Sequence, residues 1–366
     1  MIVPYKNSVK FGNLSHKYKH LSAMQHRKQK VTLKMIAKEV GCSTSLVSKV
    51  LSGRMGKSSV SLSLGLEIKE RALKLGYKSN PIASALRRGN SNTIGVIVYR
   101  HDGQPGSENV ESLIDGVTKV INNTHFHLHW LFFSNEAEFV NQIKNLDDVD
   151  GVIINRSYSH TIGSDFYIEK LISDGIPTVS FTNLDKGITY ADISQNSVGY
   201  IATKHLIDTG CKRIVTFKNI DMTSRYEGYI QAHVDAKLPI DEKLTINENS
   251  FSPENIPSYI KHLYSEKIDF DGIVCNSDIQ GIAAMRTLLA LGKKIPEDVK
   301  VIGVDDSPFA RYGIIPLSSV YGCTFDRAVW AANSLLKLID DPKSEVKSKT
   351  FEPKLVVRSS TCRDNS

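Results

Sequence analysis

The sequence predicts an α/β protein, with a small all-α helix-turn-helix domain at its amino end and a two-lobed core of parallel sheets behind it. Three observations carry this. Residues 31–53, VTLKMIAKEVGCSTSLVSKVLSG, read as two short helical patterns joined by a tight turn at Gly41. From Thr93 onward, short apolar runs alternate with helical stretches in two consecutive series, the pattern of parallel sheets covered on both faces. Charge is divided along the chain: residues 1–90 hold 18 Lys and Arg against 3 Asp and Glu, whereas residues 91–366 hold 28 against 36. A positive head on a negative body points to a polyanionic partner at one end only.

In the head, Thr32 is placed to cap a first helix whose apolar face is Leu33, Ile36, Ala37 and Val40. Ser43 or Thr44 caps a second, with Leu46, Val47, Val50 and Leu51 turned inward. That leaves Thr44, Ser45, Ser48 and Lys49 on its outer side, short polar groups and one cation on a helix narrow enough for a DNA major groove. A third helix runs from about Leu62 to Leu75, with Leu66, Ile68, Ala72, Leu73 and Leu75 as its apolar positions and Gly76 as its stop. Asn80-Pro81 then starts a segment too short to be a stable helix alone, closed by Gly89. Residues 1–30 are rich in Lys, His and Asn and read as a basic extension without a fold. Met24 is an alternative start, and a basic arm adding phosphate contacts is the rival reading.

The core begins with IGVIVY (94–99), HLHWLFF (127–133), GVIIN (151–155) and TVSF (178–181) as strands, with helices near 108–123, 136–145 and 165–174 between them. The second series is RIVTF (213–217), a strand around 244–247, GIVCN (272–276) and VKVIGVDD (299–306), with helices near 224–236, 254–266 and 279–291. Two such series imply two lobes, with a ligand cleft at the carboxyl ends of the strands. The domain limits are then 1–30, 31–78, a hinge and linker at 79–92, and the core at 93–366. Lobe 1 takes about 93–193 and 321–345, and lobe 2 about 194–320 and 346–366.

Several function classes are set aside. The five cysteines are scattered, odd in number and without a Cys-x-x-Cys pair, which favours reduced thiols in a cytoplasm. Neither a secretory signal nor an apolar stretch of spanning length is visible. There is no Gly-x-Ser-x-Gly, no phosphate loop and no His-Glu-x-x-His, so no enzyme is read and no cofactor is expected. His125, His127 and His129 alternate on one side of a strand. That strand is expected to be covered on both faces, with no partner to complete a metal site, so no metal is assigned.

In its ordered motifs the chain resembles the LacI/GalR (lactose-repressor) family of bacterial transcription regulators. The likeness runs through VTLKMIA, STSLVSKVLSG, LGYKSNP, IGVIV, VDGVIIN, GIPTV, HLIDTGCKRI, RYEGY, IPEDVKVIGVDD and the closing LVVRSST. It implies a periplasmic-binding-protein-like core and a homodimer on a pseudo-palindromic double-stranded DNA operator, acting as a repressor. The resemblance places base contacts on Thr44, Ser45 and Lys49, and backbone contacts on Thr32 and Ser48. It makes Asn80, Ala83 and Leu86 the hinge positions, with Leu86 wedging into the minor groove. It places effector contacts on Tyr99, Asn155, Thr182, Arg225, Ser277 and Asp305, with Ser277 standing where Asn is usual. The effector it implies is a carbohydrate, with a nucleoside or nucleobase as runner-up. A solute-binding protein without a regulatory role is the alternative class.

Overall fold

The structure is a computed structural model that describes residues 31–51, 60–77, 91–99, 108–144, 146, 148–155, 164–183, 187–219, 223–248 and 252–362. The extension and the hinge positions Asn80, Ala83 and Leu86 lie outside the described residues. The chain divides into two compact units, Met1–Ser84 and Ala85–Ser366.

The first unit holds α1 (Leu33–Val40), α2 (Thr44–Leu51) and α3 (Leu62–Leu75). The Thr32 hydroxyl accepts from the Met35 N–H at 3.4 Å, and Gly41 ends α1 at φ 73°, where only glycine sits without strain. Ser43 caps α2, accepting from the Leu46 N–H at 3.1 Å. Ser61 caps α3 in the same way, and Gly76 closes it at φ 69°. Ile36, Ala37, Val47, Val50, Ile68 and Ala72 form the small core. One expectation fails: Leu66 and Leu73 are 64% and 85% exposed. At 100° per residue they share a face about opposite Ile68, so apolar character alone misassigned them.

The second unit carries two six-stranded sheets. The first has the order β11-β5-β4-β3-β1-β2, from β1 (Thr93–Tyr99), β2 (His127–Phe133), β3 (Gly151–Asn155), β4 (Thr178–Ser180), β5 (Thr189–Ile193) and β11 (Lys349–Phe351). The second has the order β12-β10-β9-β8-β6-β7, from β6 (Ile214–Asn219), β7 (Thr245–Glu248), β8 (Gly272–Val274), β9 (Lys300–Val304), β10 (Ser318–Tyr321) and β12 (Lys354–Val356). Every pairing is parallel except β10 with β12. Helices cover both faces of each sheet. On the first they are α4 (Glu108–Ile121), α5 (Glu136–Lys144), α6 (Ser164–Ser173) and the long α12 (Thr324–Asp340). On the second they are α7 (Gln195–Asp208), α8 (Thr223–Asp235), α9 (Ile256–Ser265) and α10 (Asp278–Ala290), with the short α11 (Pro308–Tyr312) beside α10.

The chain therefore crosses between lobes three times: after β5, between β10 and α12, and between β11 and β12. The last crossing falls later than the expected 345, because β11 pairs with β5 in the first sheet (Lys349 against Ala191). A second correction concerns β2. It is the outermost strand of its sheet, and His125, His127 and His129 are exposed rather than covered. Among the described residues no group of three or more His, Cys, Asp or Glu could hold a metal ion.

Candidate functional site

On the head, the two helices pack through Ile36, Ala37, Val47 and Val50, with Leu46 and Leu51 of α2 partly buried against them. Thr32, Thr44, Ser45 and Lys49 are exposed and Ser48 is half-buried. An exposed row of hydroxyls and a cation on one helix suits contacts with base edges and phosphates.

In the core, all six expected effector positions lie at or just past carboxyl ends of parallel strands. Tyr99 ends β1, Asn155 ends β3, and Thr182 follows β4. Arg225 stands in the first turn of α8 after β6, Ser277 follows β8, and Asp305 follows β9. They are not equally open. Thr182 is 3% exposed, and its N–H donates to the Ser180 hydroxyl at 3.2 Å. Tyr99 packs edge-on to Phe133. Ser277 caps α10, accepting from the Gln280 N–H.

Arg225 is held from two sides. Its Nε donates to Gln195 Oε1 at 2.7 Å, and its Nη1 donates to the Asn276 carbonyl at 2.6 Å. The Arg-x-x-Gly spacing has a packing cause. Helices α7 and α8 cross so closely that a Cβ on Gly228 would stand 2.1 Å from the Asn196 carbonyl oxygen, and one on Gly199 would stand 2.0 Å from that of Arg225. The two glycines let the helices touch, and the crossing fixes the backbone that carries the guanidinium.

Beneath Arg225 lies a buried polar network that the sequence reading missed. Asn276 Nδ2 donates to Glu248 Oε1 and to the Phe217 carbonyl, each at 2.9 Å. Gln280 Nε2 donates to Glu248 Oε2 at 3.1 Å, and Gln280 Oε1 accepts from the Asn276 N–H at 3.0 Å. Burial pushes the Glu248 carboxyl above its ordinary range, and the two amides and the Arg225 charge pull it back. The network fixes Asn276, whose carbonyl fixes Arg225.

Asp305 and Asp306 both have left-handed backbones, at φ 115° and 56°, a conformation that costs energy in a residue with a Cβ. The pair is pinned: Asp306 binds Arg311 at 2.8 Å and Arg358, and its N–H donates to Ser319. Asp278, 1% exposed, accepts from the Ser307 N–H and the Ser319 hydroxyl. Burial first, and then the Asp306 charge, push its carboxyl up to about 6, against the pull of those hydrogen bonds. Asp305 itself accepts from Asn109 Nδ2 at 2.7 Å, across from lobe 1.

A periplasmic binding protein-like domain profile matches residues 203–361. The transcriptional regulator CelR of Thermobifida fusca is 28% identical over 345 residues, 91% of this chain and 99% of CelR. A solved CelR–cellobiose complex aligns with TM-score 0.65 at 27% identity, over 90% of this chain and 99% of that one. The chain is thus similar to LacI-family transcriptional regulators over about nine tenths of its length. A lac repressor dimer bound to operator shares the fold of this chain, with TM-score 0.75 over 91% of this chain and 99% of that one, at 18% identity. These relatives are transcriptional regulators and not enzymes, which supports a DNA-binding regulator with a small-molecule effector. Among the described residues no helix is long and apolar enough to cross a membrane.

Glu248, Asn276, Gln280 and Asn109 carried no signal in the sequence. A lone amide or carboxylate in an amphipathic stretch looks solvated until tertiary packing closes over it.

Proposed function

We propose that this regulator is a homodimeric repressor whose effector is a carbohydrate, bound between the lobes by Arg225 and Asp305 with Tyr99, Asn155, Thr182 and Ser277 around them. The observation that carries the reading is what lobe 2 presents beyond its strands: a guanidinium fixed by Gln195 and Asn276 in the first turn of α8, and a carboxylate just after β9. Forked donors and acceptors suit vicinal hydroxyls. CelR, solved with cellobiose, supports the sugar class.

The dimer reading draws support from lobe 2. Phe309, Tyr312 and Ile314 are 58%, 84% and 104% exposed on and just after α11, a cluster of large apolar side chains of the kind that marks an interaction surface. DNA contact is assigned to Thr32, Thr44, Ser45, Ser48 and Lys49 with the hinge positions Asn80, Ala83 and Leu86. Effector in the cleft changes the lobe arrangement and with it the spacing of the two hinges, so operator affinity shifts by population.

The test is a thermal-shift scan against cellobiose, other mono- and oligosaccharides, sugar phosphates and nucleosides, with the hit repeated on Arg225→Ala. A ligand at 100 times its Kd stabilises the fold by about 2.7 kcal/mol. A sugar hit abolished by Arg225→Ala supports the reading. A nucleoside hit, or silence from every sugar, overturns the carbohydrate assignment. Selection of duplex fragments from random DNA completes it, with a palindromic consensus expected.

A further inference from the structure

Asn109 sits in the first turn of α4, on lobe 1, and both ends of its carboxamide are engaged. Nδ2 donates to Asp305 Oδ1 at 2.7 Å, and Oδ1 accepts from the Thr324 hydroxyl at 2.9 Å. The first bond joins the two lobes. The second comes from the start of α12, immediately after the chain has crossed back from β10. Thr324 orients the amide: with its hydroxyl donating to Oδ1, the NH2 group is left to face the carboxylate. Helix α4 is itself seated firmly on α12, where a Cβ on Gly116 would lie 2.5 Å from that of Ala328. The acceptor is equally fixed, because the left-handed Asp305–Asp306 turn is pinned through Asp306 to Arg311 and Arg358.

We infer that Asn109, oriented by Thr324, is a positioning residue of the cleft: it holds the Asp305 carboxylate from the opposite lobe and so latches the two lobes together. A neutral amide suits this role, since it donates to a carboxylate with no buried counter-charge to desolvate. The latch shares Asp305 with the effector reading but rests on the hydrogen bonds alone. A polar ligand group that engages Asp305 then meets a carboxylate already oriented, and it either adds to the amide or replaces it.

The experiment needs no effector. In the full chain, Cys42 and Cys362 are replaced by Ser, and nitroxide labels are placed at Glu111→Cys on α4 and Lys261→Cys on α9. The interlobe distance distribution is then measured by pulsed dipolar spectroscopy. Wild type gives one narrow population. Asn109→Ala and Thr324→Val broaden it and lengthen its mean, and Asn109→Asp, which sets two carboxylates face to face, lengthens it most. The reciprocal exchange Asn109→Asp with Asp305→Asn re-forms the same pair with donor and acceptor reversed, and it returns the narrow population. Circular dichroism confirms that each variant is folded. Distributions unchanged by Asn109→Ala and Asn109→Asp overturn the proposal, as does a reciprocal exchange no closer to wild type than Asn109→Asp alone. Since no sugar is used, failure here leaves the thermal-shift test of the effector untouched.

Discussion

Arg225 sets the residue scale. Its guanidinium spans Gln195 Oε1 and the Asn276 carbonyl with two different nitrogens, a geometry that a lysine ammonium cannot copy. Arg225→Lys is therefore expected to keep the fold and the charge, yet to weaken binding of the best sugar from the panel by at least about tenfold, the equivalent of one good hydrogen bond to a charged group. Titration calorimetry reads this directly. Asp278 makes a prediction of a different kind. Its carboxyl is pushed up from 3.8 to about 6, so the folded state holds that proton more tightly than the unfolded chain does. The stability it contributes is full below about 3.8 and is lost as pH rises through about 6. The urea midpoint of wild type should accordingly fall relative to that of Asp278→Asn between pH 4 and 7; a difference independent of pH would refute the assignment. The expected effector positions came from the family resemblance that GVDD, GVIIN and RYEGY carry, not from periodicity. Asn109 and Glu248 were not, because what makes them matter is a partner far away in the chain: Asp305 for the one, Asn276 for the other.

At the scale of elements, glycine separates two kinds of helix. Gly228 lies where α8 crosses α7, with no room for a methyl group, whereas Gly65 in α3 has nothing within 4 Å. Gly228→Ala should cost about 1–3 kcal/mol or more through forced separation of the two helices. Gly65→Ala should stabilise the head by roughly 1 kcal/mol through helix propensity. Urea unfolding of the two variants gives opposite signs if the crossing is as close as described. The long helices and the strands with an unbroken apolar run were legible: HLHWLFF and GVIIN fall on β2 and β3 residue for residue. The strands β5, β10 and β11, TYADI, SSVY and KTF, hold no more than two apolar residues in a row, so no run marks them. Helix α12 was passed over although its apolar residues line the lobe 1 core. Its span was expected in lobe 1, within 321–345, but no helix was read there.

For the whole molecule, the exposed cluster of Phe309, Tyr312 and Ile314 tests the assembly. Wild type is expected to sediment as a dimer, and Phe309→Glu with Ile314→Glu as a monomer with an unchanged circular dichroism spectrum. A wild-type monomer at micromolar concentration would remove the dimer from the proposed function. The division of charge between a head of 18 basic and 3 acidic residues and a body of 28 and 36 was readable without any structure. So was the presence of two lobes. The three crossings were expected too, with the last placed a few residues early, and they have a consequence for anyone who would take the protein apart. Lobe 1 draws Ala328, Ala331, Ala332 and Leu335 of its core from α12, and its outermost strand β11 from residues 349–351. A gene truncated anywhere between residues 194 and 323 thus encodes a first lobe with one layer missing, not a free-standing half. Grafting the ligand specificity of a relative onto this head must exchange the core entire, or cut and rejoin the gene at all three crossings.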